Sequence, residues 1–205
     1  MNASRIRSRA FLASVFLLCA TLILLGLSAS AQDRDFRVDP AQSSVKFTLG
    51  DVLHTVHGTF KVKHGGLQID SSGKMSGDII VDAKSGDSGS GMRDRKMHKE
   101  VLESERYPEI AFRPVQIEGP IPGSGKASVS VHGTFSIHGV DREITVPAQV
   151  DMDADHWTAT VHFTVPYQKW GMKNPSTLFL RVSDSVDIDL VATGTVSARS
   201  AATNQ

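Results

Sequence analysis

Beyond residue 31 the chain has no cysteine, the single one being Cys19. A domain built from the remainder is held by packing and not by disulfides. It also lacks any basic run. Lys and Arg together number 22, as do Asp and Glu; setting aside Arg5, Arg7 and Arg9 (22 less 3) leaves 19 basic residues, a balance of −3. That balance argues against nucleic acid or an anionic membrane as the main partner. No His-x-x-x-His pair offers a helical metal site. Long apolar runs are absent too, except over Phe11 to Leu27.

That one run follows the three early arginines and ends in Ser28-Ala29-Ser30-Ala31, the small residues a signal peptidase reads. Residues 1–31 are therefore expected to be a leader cleaved after Ala31, which places the rest in the periplasm or outside the cell. Residues 32–197 are expected to form the domain, and 198–205 a frayed tail.

What is present is a period of two. From Ser128 to Val150, Val129, Val131, Gly133, Phe135 and Ile137 alternate with polar residues, His138-Gly139-Val140-Asp141 turns the chain, and Ile144, Val146, Ala148 and Val150 alternate again. The pattern recurs in Val45, Phe47 and Leu49, in Val52 to Val62, and in Met75 to Val81. It returns in Ile110 and Phe112, in Trp157 to Val165, and in Val186, Ile188 and Leu190. Gly65-Gly66 is expected to break a strand before a short one at Leu67 and Ile69, and Pro114 to mark a bulge or edge. Lys84 to Gly91 has the composition of a loop. Met92 to Glu103 loses alternation, and its apolar residues fall at helical spacings. Tyr167 to Thr177 is irregular, with one helical turn expected around Trp170.

So many amphipathic strands with one helix have too little cover for a flat sheet. The fold class expected is all-β: an extended, antiparallel β-barrel of about eight strands with one helix packed beside or over it. An outer-membrane barrel would need an apolar outer band, whereas here one face of each strand is Lys, Asp, Ser, Thr and Glu. A barrel of this size holds either packed side chains or one guest. Parity assigns to the interior Phe47, Val56, Phe60, Ile79, Val81, Phe112, Val131, Phe135, Ile144, Val146, Phe163, Val186 and Ile188. Gly58, Gly77 and Gly133 share that parity; they either leave space along the axis or relieve strain in coiled strands. A guest among these residues would be long and apolar, gaining about 0.8 kcal/mol per buried methylene. Arg93 and Asp94, on the helix, are candidates for a polar rim that holds a headgroup.

Other motifs carry less. Gly86-Asp87-Ser88-Gly89 has the letters of a protease nucleophile segment, but its serine comes early and in a loop. Asp151-x-Asp153-x-Asp155 opens like a calcium loop, yet His156 and His162 stand where glycine and glutamate are needed. His57, His132 and His162 fall on the outward parity, and His54 on the inward one. No acid, base and nucleophile converge, so neither catalysis, cofactor nor metal is expected.

Taken in order, several segments resemble the YceI family of bacterial polyisoprenoid-binding-like proteins. They are Val38-Asp39-Pro40-Ala41-Gln42-Ser43-Ser44-Val45-x-Phe47, Val56-x-Gly58-x-Phe60 and Met92-Arg93-Asp94. Tyr107-Pro108-x-Ile110-x-Phe112, Gly133-x-Phe135-x-Ile137-His138-Gly139-Val140, Trp170-Gly171-Met172-Lys173-Asn174-Pro175-Ser176 and Val186-x-Ile188 complete the set. The resemblance implies an extended lipocalin-like barrel, usually exported, associated with long isoprenoid or fatty amphiphiles. Val101-Leu102 stands where relatives tend to carry an aromatic pair, which alters the pocket entrance. The expected function is binding of a long apolar lipid for carriage or sequestration, by a protein that does not span the membrane once processed; a homodimer is allowed. The alternative is a filled barrel acting as an envelope interaction or stress-response module.

Overall fold

The computed structural model describes residues 33–50, 55–176 and 181–198. The leader expected over 1–31, Val52 and His54 lie outside the described residues, as does the tail from 199 onward. The strands are β1 (Arg34–Val38), β2 (Ser44–Gly50), β3 (Thr55–Ile69), β4 (Met75–Asp87), β5 (Glu109–Glu118), β6 (Gly125–Ile137), β7 (Val140–Asp153), β8 (His156–Val165) and β9 (Val186–Ala198). Between β4 and β5 runs one short helix, α1 (Gly91–Lys96), continued by a π-helical turn at Met97–Val101.

All strands join one antiparallel sheet in the order β1-β3-β2-β9-β8-β7-β6-β5-β4, and the β3–β4 pairing closes it into a barrel. Nine strands occupy eight positions around the ring. β1 and β2 both pair with β3 on one side and β9 on the other, so they are two lengths of one interrupted stave. The interruption is a turn in which Asp39 accepts hydrogen bonds from the amides of Ala41, at 2.8 Å, and Gln42, at 3.3 Å.

The central hairpin forms in the expected register, with Ile137 opposite Val140 and Val131 opposite Val146. His138 and Gly139 have φ of 54° and 73°, the left-handed pair that matches the twist of a two-residue hairpin. At Pro114 the β5–β6 register shifts by a bulge. Three other expectations are corrected. Gly65-Gly66 does not break the strand: β3 runs through to Ile69, and a bulge between Val62 and His64 absorbs the change of parity that brings Leu67 inward. The loop expected from Lys84 begins only after Asp87, because the Ser85 hydroxyl receives the Lys61 amide at 2.8 Å and Gly86 lies under the Phe60 ring. The last strand keeps Ala198, which pairs with Arg34.

The connections differ at the two ends. Residues 70–74, 119–124 and 154–155 make short turns at one end, while 88–108 and, among the described residues, 166–176 form longer segments at the other. The long segments bring α1, the π turn and Trp170 to that end. On the outer side, Thr134 donates to Glu143 at 2.8 Å and Thr164 to Asp187 at 2.6 Å. The large apolar residues exposed among the described ones are Met92, Val115 and Val140.

His162 on β8 meets Asp189 on β9 at 2.7 Å, and that hydrogen bond holds its imidazole above the usual histidine range. A raised folded pKa contributes stability that is fully present below the unfolded value, about 6.5, and is lost as pH rises through the folded one. In an NMR titration His162 is expected to titrate above an ordinary histidine in the wild type, and to return toward it in Asp189→Asn.

Candidate functional site

The thirteen apolar side chains assigned inward by parity, from Phe47 to Ile188, face the interior, yet the interior is not full. Phe47, Ile79, Phe135 and Val146 are buried, whereas Val56, Phe60, Val81, Phe112, Val131, Ile144, Phe163, Val186 and Ile188 are only half-buried. An inward side chain with accessible surface must border a space. That space is a cavity of about 510 Å³, and all of these residues lie on its wall. It falls within the size range of small-molecule sites and far exceeds an ordinary packing defect.

The aromatic rings pair along the wall and leave the axis open. Phe47 and Phe60, on neighbouring strands, have centroids 5.5 Å apart; Phe135 and Phe163 are 5.7 Å apart in an edge contact. Two buried clusters close the ends. Phe36, Met152 and Trp157 belong to the one at the short-turn end, and Leu102, Val165, Tyr167 and Met172 to the one below the helix.

The inward glycines do not create this space. A Cβ on Gly58 would lie 2.2 Å from the Phe47 ring, and one on Gly133 would lie 2.5 Å from the Arg113 carbonyl oxygen. Gly77 is on an exposed stretch of β4 with its backbone against Gly66. All three permit close approach, and only Gly77, with φ of 99°, also uses the backbone freedom that the strain reading assumed. The hollow comes instead from the circumference of eight staves lined by side chains too short to meet.

Polar groups on the wall gather at the helix end: Ser88, Arg93, Lys96 and Tyr167. The Tyr167 hydroxyl donates to the Ser183 carbonyl, and burial, with the nearby Asp184 charge, pushes its pKa up to about 12. Arg93 donates to the Ser88 carbonyl at 2.9 Å, and Lys96 to the Pro175 carbonyl at 2.6 Å.

Asp94 corrects the expected rim. It does not line the cavity; its carboxylate accepts the Ser88 amide at 2.8 Å and the Ser88 hydroxyl at 2.6 Å. Burial opposes its ionisation, but these hydrogen bonds hold its pKa below the usual range. The loop before the helix is thereby tied to it, which consumes the acid. Lys96 stands on the wall instead.

The helix and the Trp170 segment are linked by side chains. Lys173 reaches Glu100 at 2.7 Å, and Arg142 lies over the Trp170 ring at 5.3 Å. Arg142 was not marked by sequence because its position breaks the apolar parity of β7. That break was its signal. Val101 and Leu102, the noted departure from the family pattern, border the cavity at this end.

Among the described residues no group of three His, Cys, Asp or Glu side chains is placed to hold a metal ion. No helix among them is long and apolar enough to cross a membrane.

These features define a class: a closed antiparallel barrel with a hollow, almost wholly apolar interior and a short helix at one end. The YceI-like domain description matches residues 36–193, and the chain belongs to that family. A UPF0312 protein of Vibrio parahaemolyticus is 26% identical over 142 residues, 66% of this chain and 73% of that protein. Two solved structures share the barrel. BcnA of Burkholderia cenocepacia is 21% identical with a TM-score of 0.63, the match covering 77% of this chain and 99% of that one. A polyisoprenoid binding domain from Saccharophagus degradans, implicated in plant cell wall breakdown, is 16% identical with a TM-score of 0.62, covering 80% of this chain and 98% of that one.

Proposed function

We propose that this chain is an exported, soluble protein that takes the tail of a long isoprenoid or fatty amphiphile into its barrel, for carriage or sequestration and without catalysis. The observation that carries the reading is the 510 Å³ cavity walled by aliphatic and aromatic side chains. Filling it with hydrocarbon removes apolar surface from water on both partners, at about 0.8 kcal/mol per methylene. Of the polar groups on the wall, Arg93, Lys96 and Tyr167 already donate to backbone carbonyls and Ser88 to the Asp94 carboxylate, so none is oriented as an acid or base toward the interior. The polyisoprenoid-binding relative and the leader-like residues 1–31 support the ligand class and the export.

The test is lipid extraction and mass spectrometry of the protein purified from its native host. A hydrocarbon-tailed species near one per chain is expected, and protein that carries none would remove the reading's main support.

A further inference from the structure

The charge of the cavity wall bears on what the head of such a ligand is. Two basic side chains, Arg93 and Lys96, lie on the wall, and no acidic residue is among its described lining. The acid beside them, Asp94, is turned away and taken by Ser88. Glu100, on the following turn, is taken by Lys173, whose hydrogen bond holds it below the usual carboxylate range. The partners of Arg93 and Lys96 are the Ser88 and Pro175 carbonyls, with the Ser88 hydroxyl 3.3 Å from Arg93. Those groups satisfy N–H donors but do not cancel charge. Among the described residues neither Arg93 nor Lys96 forms a salt bridge, although the Asp94 and Glu100 carboxylates lie within reach of their fields, and both cations stand where the apolar cavity meets the helix.

We propose that the barrel selects amphiphiles with an anionic head, a phosphate or a carboxylate, which Arg93 and Lys96 hold at the helix end while the tail fills the cavity. The proposal deepens the lipid-binding reading and rests on it. An uncharged head would leave both cations as they are. An anion gains charge-assisted hydrogen bonds from both, from the exposed Arg93 and from the half-buried Lys96 beside the apolar wall. Arginine also offers a planar fork suited to phosphate or carboxylate oxygens. Lys99 and Arg95 lie on the same helical stretch but are absent from the wall, so they supply an internal control.

The experiment compares four probes by calorimetric titration: geranylgeranyl phosphate with geranylgeraniol, and palmitate with hexadecanol. Within each pair only the head differs. Wild-type protein is expected to bind at least one anion about tenfold or more tightly than its alcohol. Arg93→Gln combined with Lys96→Gln is expected to abolish that ratio while each alcohol keeps its affinity within about twofold, and Lys99→Gln to leave the ratio unchanged. A merely structural role would weaken alcohol and anion together, which overturns the proposal. A wild-type ratio near one, or a ratio that survives the double substitution, also overturns it and leaves the lipid-binding reading standing. If none of the four probes binds, both fall. Preference in the phosphate pair alone, or in the carboxylate pair alone, identifies which anion the site takes.

Discussion

Val131→Trp is expected to lower affinity for geranylgeraniol by at least about a hundredfold while the barrel stays folded. Val131 sits on β6 between Ile117 and Val146, points inward, and remains half-buried because it borders the cavity. An indole there occupies volume that a ligand chain would otherwise fill. Displacing three or four methylenes from apolar contact forfeits about 3 kcal/mol, which is that factor. The stability outcome is the sharper half. In a close-packed interior such an enlargement costs about 1–3 kcal/mol through strain. Into open space it costs little or nothing. Titration together with urea denaturation checks both halves. Undiminished binding, or a fall in unfolding midpoint typical of an overpacked core, contradicts the hollow interior.

Trp157→Ala is expected to destabilise the protein by about 3–5 kcal/mol, the usual cost of removing a large buried aromatic. Trp157 is 4% exposed, meets Phe36 edge-on at 5.6 Å, and donates from its indole nitrogen to the Thr195 carbonyl at 3.1 Å. It joins β8 to the interrupted stave and closes the short-turn end of the barrel. A loss of that size would be most of the stability of many domains. Ile188→Ala, at an inward residue that borders the cavity, is expected to cost less, because part of its surface has no packing partner to lose. Urea unfolding of the two variants side by side gives the order; equal losses would show that the wall is packed as tightly as the end.

Together these substitutions separate two kinds of inward residue that look alike in sequence. Val131, Ile188 and Trp157 all lie on apolar parity positions. Only their neighbours across the axis distinguish a wall from a plug, and those neighbours lie far away along the chain. The same holds for the charged helix. Arg93 and Asp94 are adjacent in sequence and equally plausible as a rim. The loop that delivers Ser88 to Asp94 decides that one faces the cavity and the other holds the loop.

The period-two alternation determined by itself which side chains point inward, where the central hairpin turns, and that a closed all-β barrel with one helix would follow. Those are local properties: side-chain direction alternates along any extended strand, and a left-handed pair such as His138-Gly139 needs no distant partner to turn the chain. Only the tertiary structure decided that β1 and β2 share one stave, that Gly58 and Gly133 admit a ring and a backbone instead of leaving room, and that about 510 Å³ stays open. Empty volume is the difference between the circumference set by strand count and stagger and the reach of side chains meeting from opposite walls. No single segment of sequence contains both of those lengths.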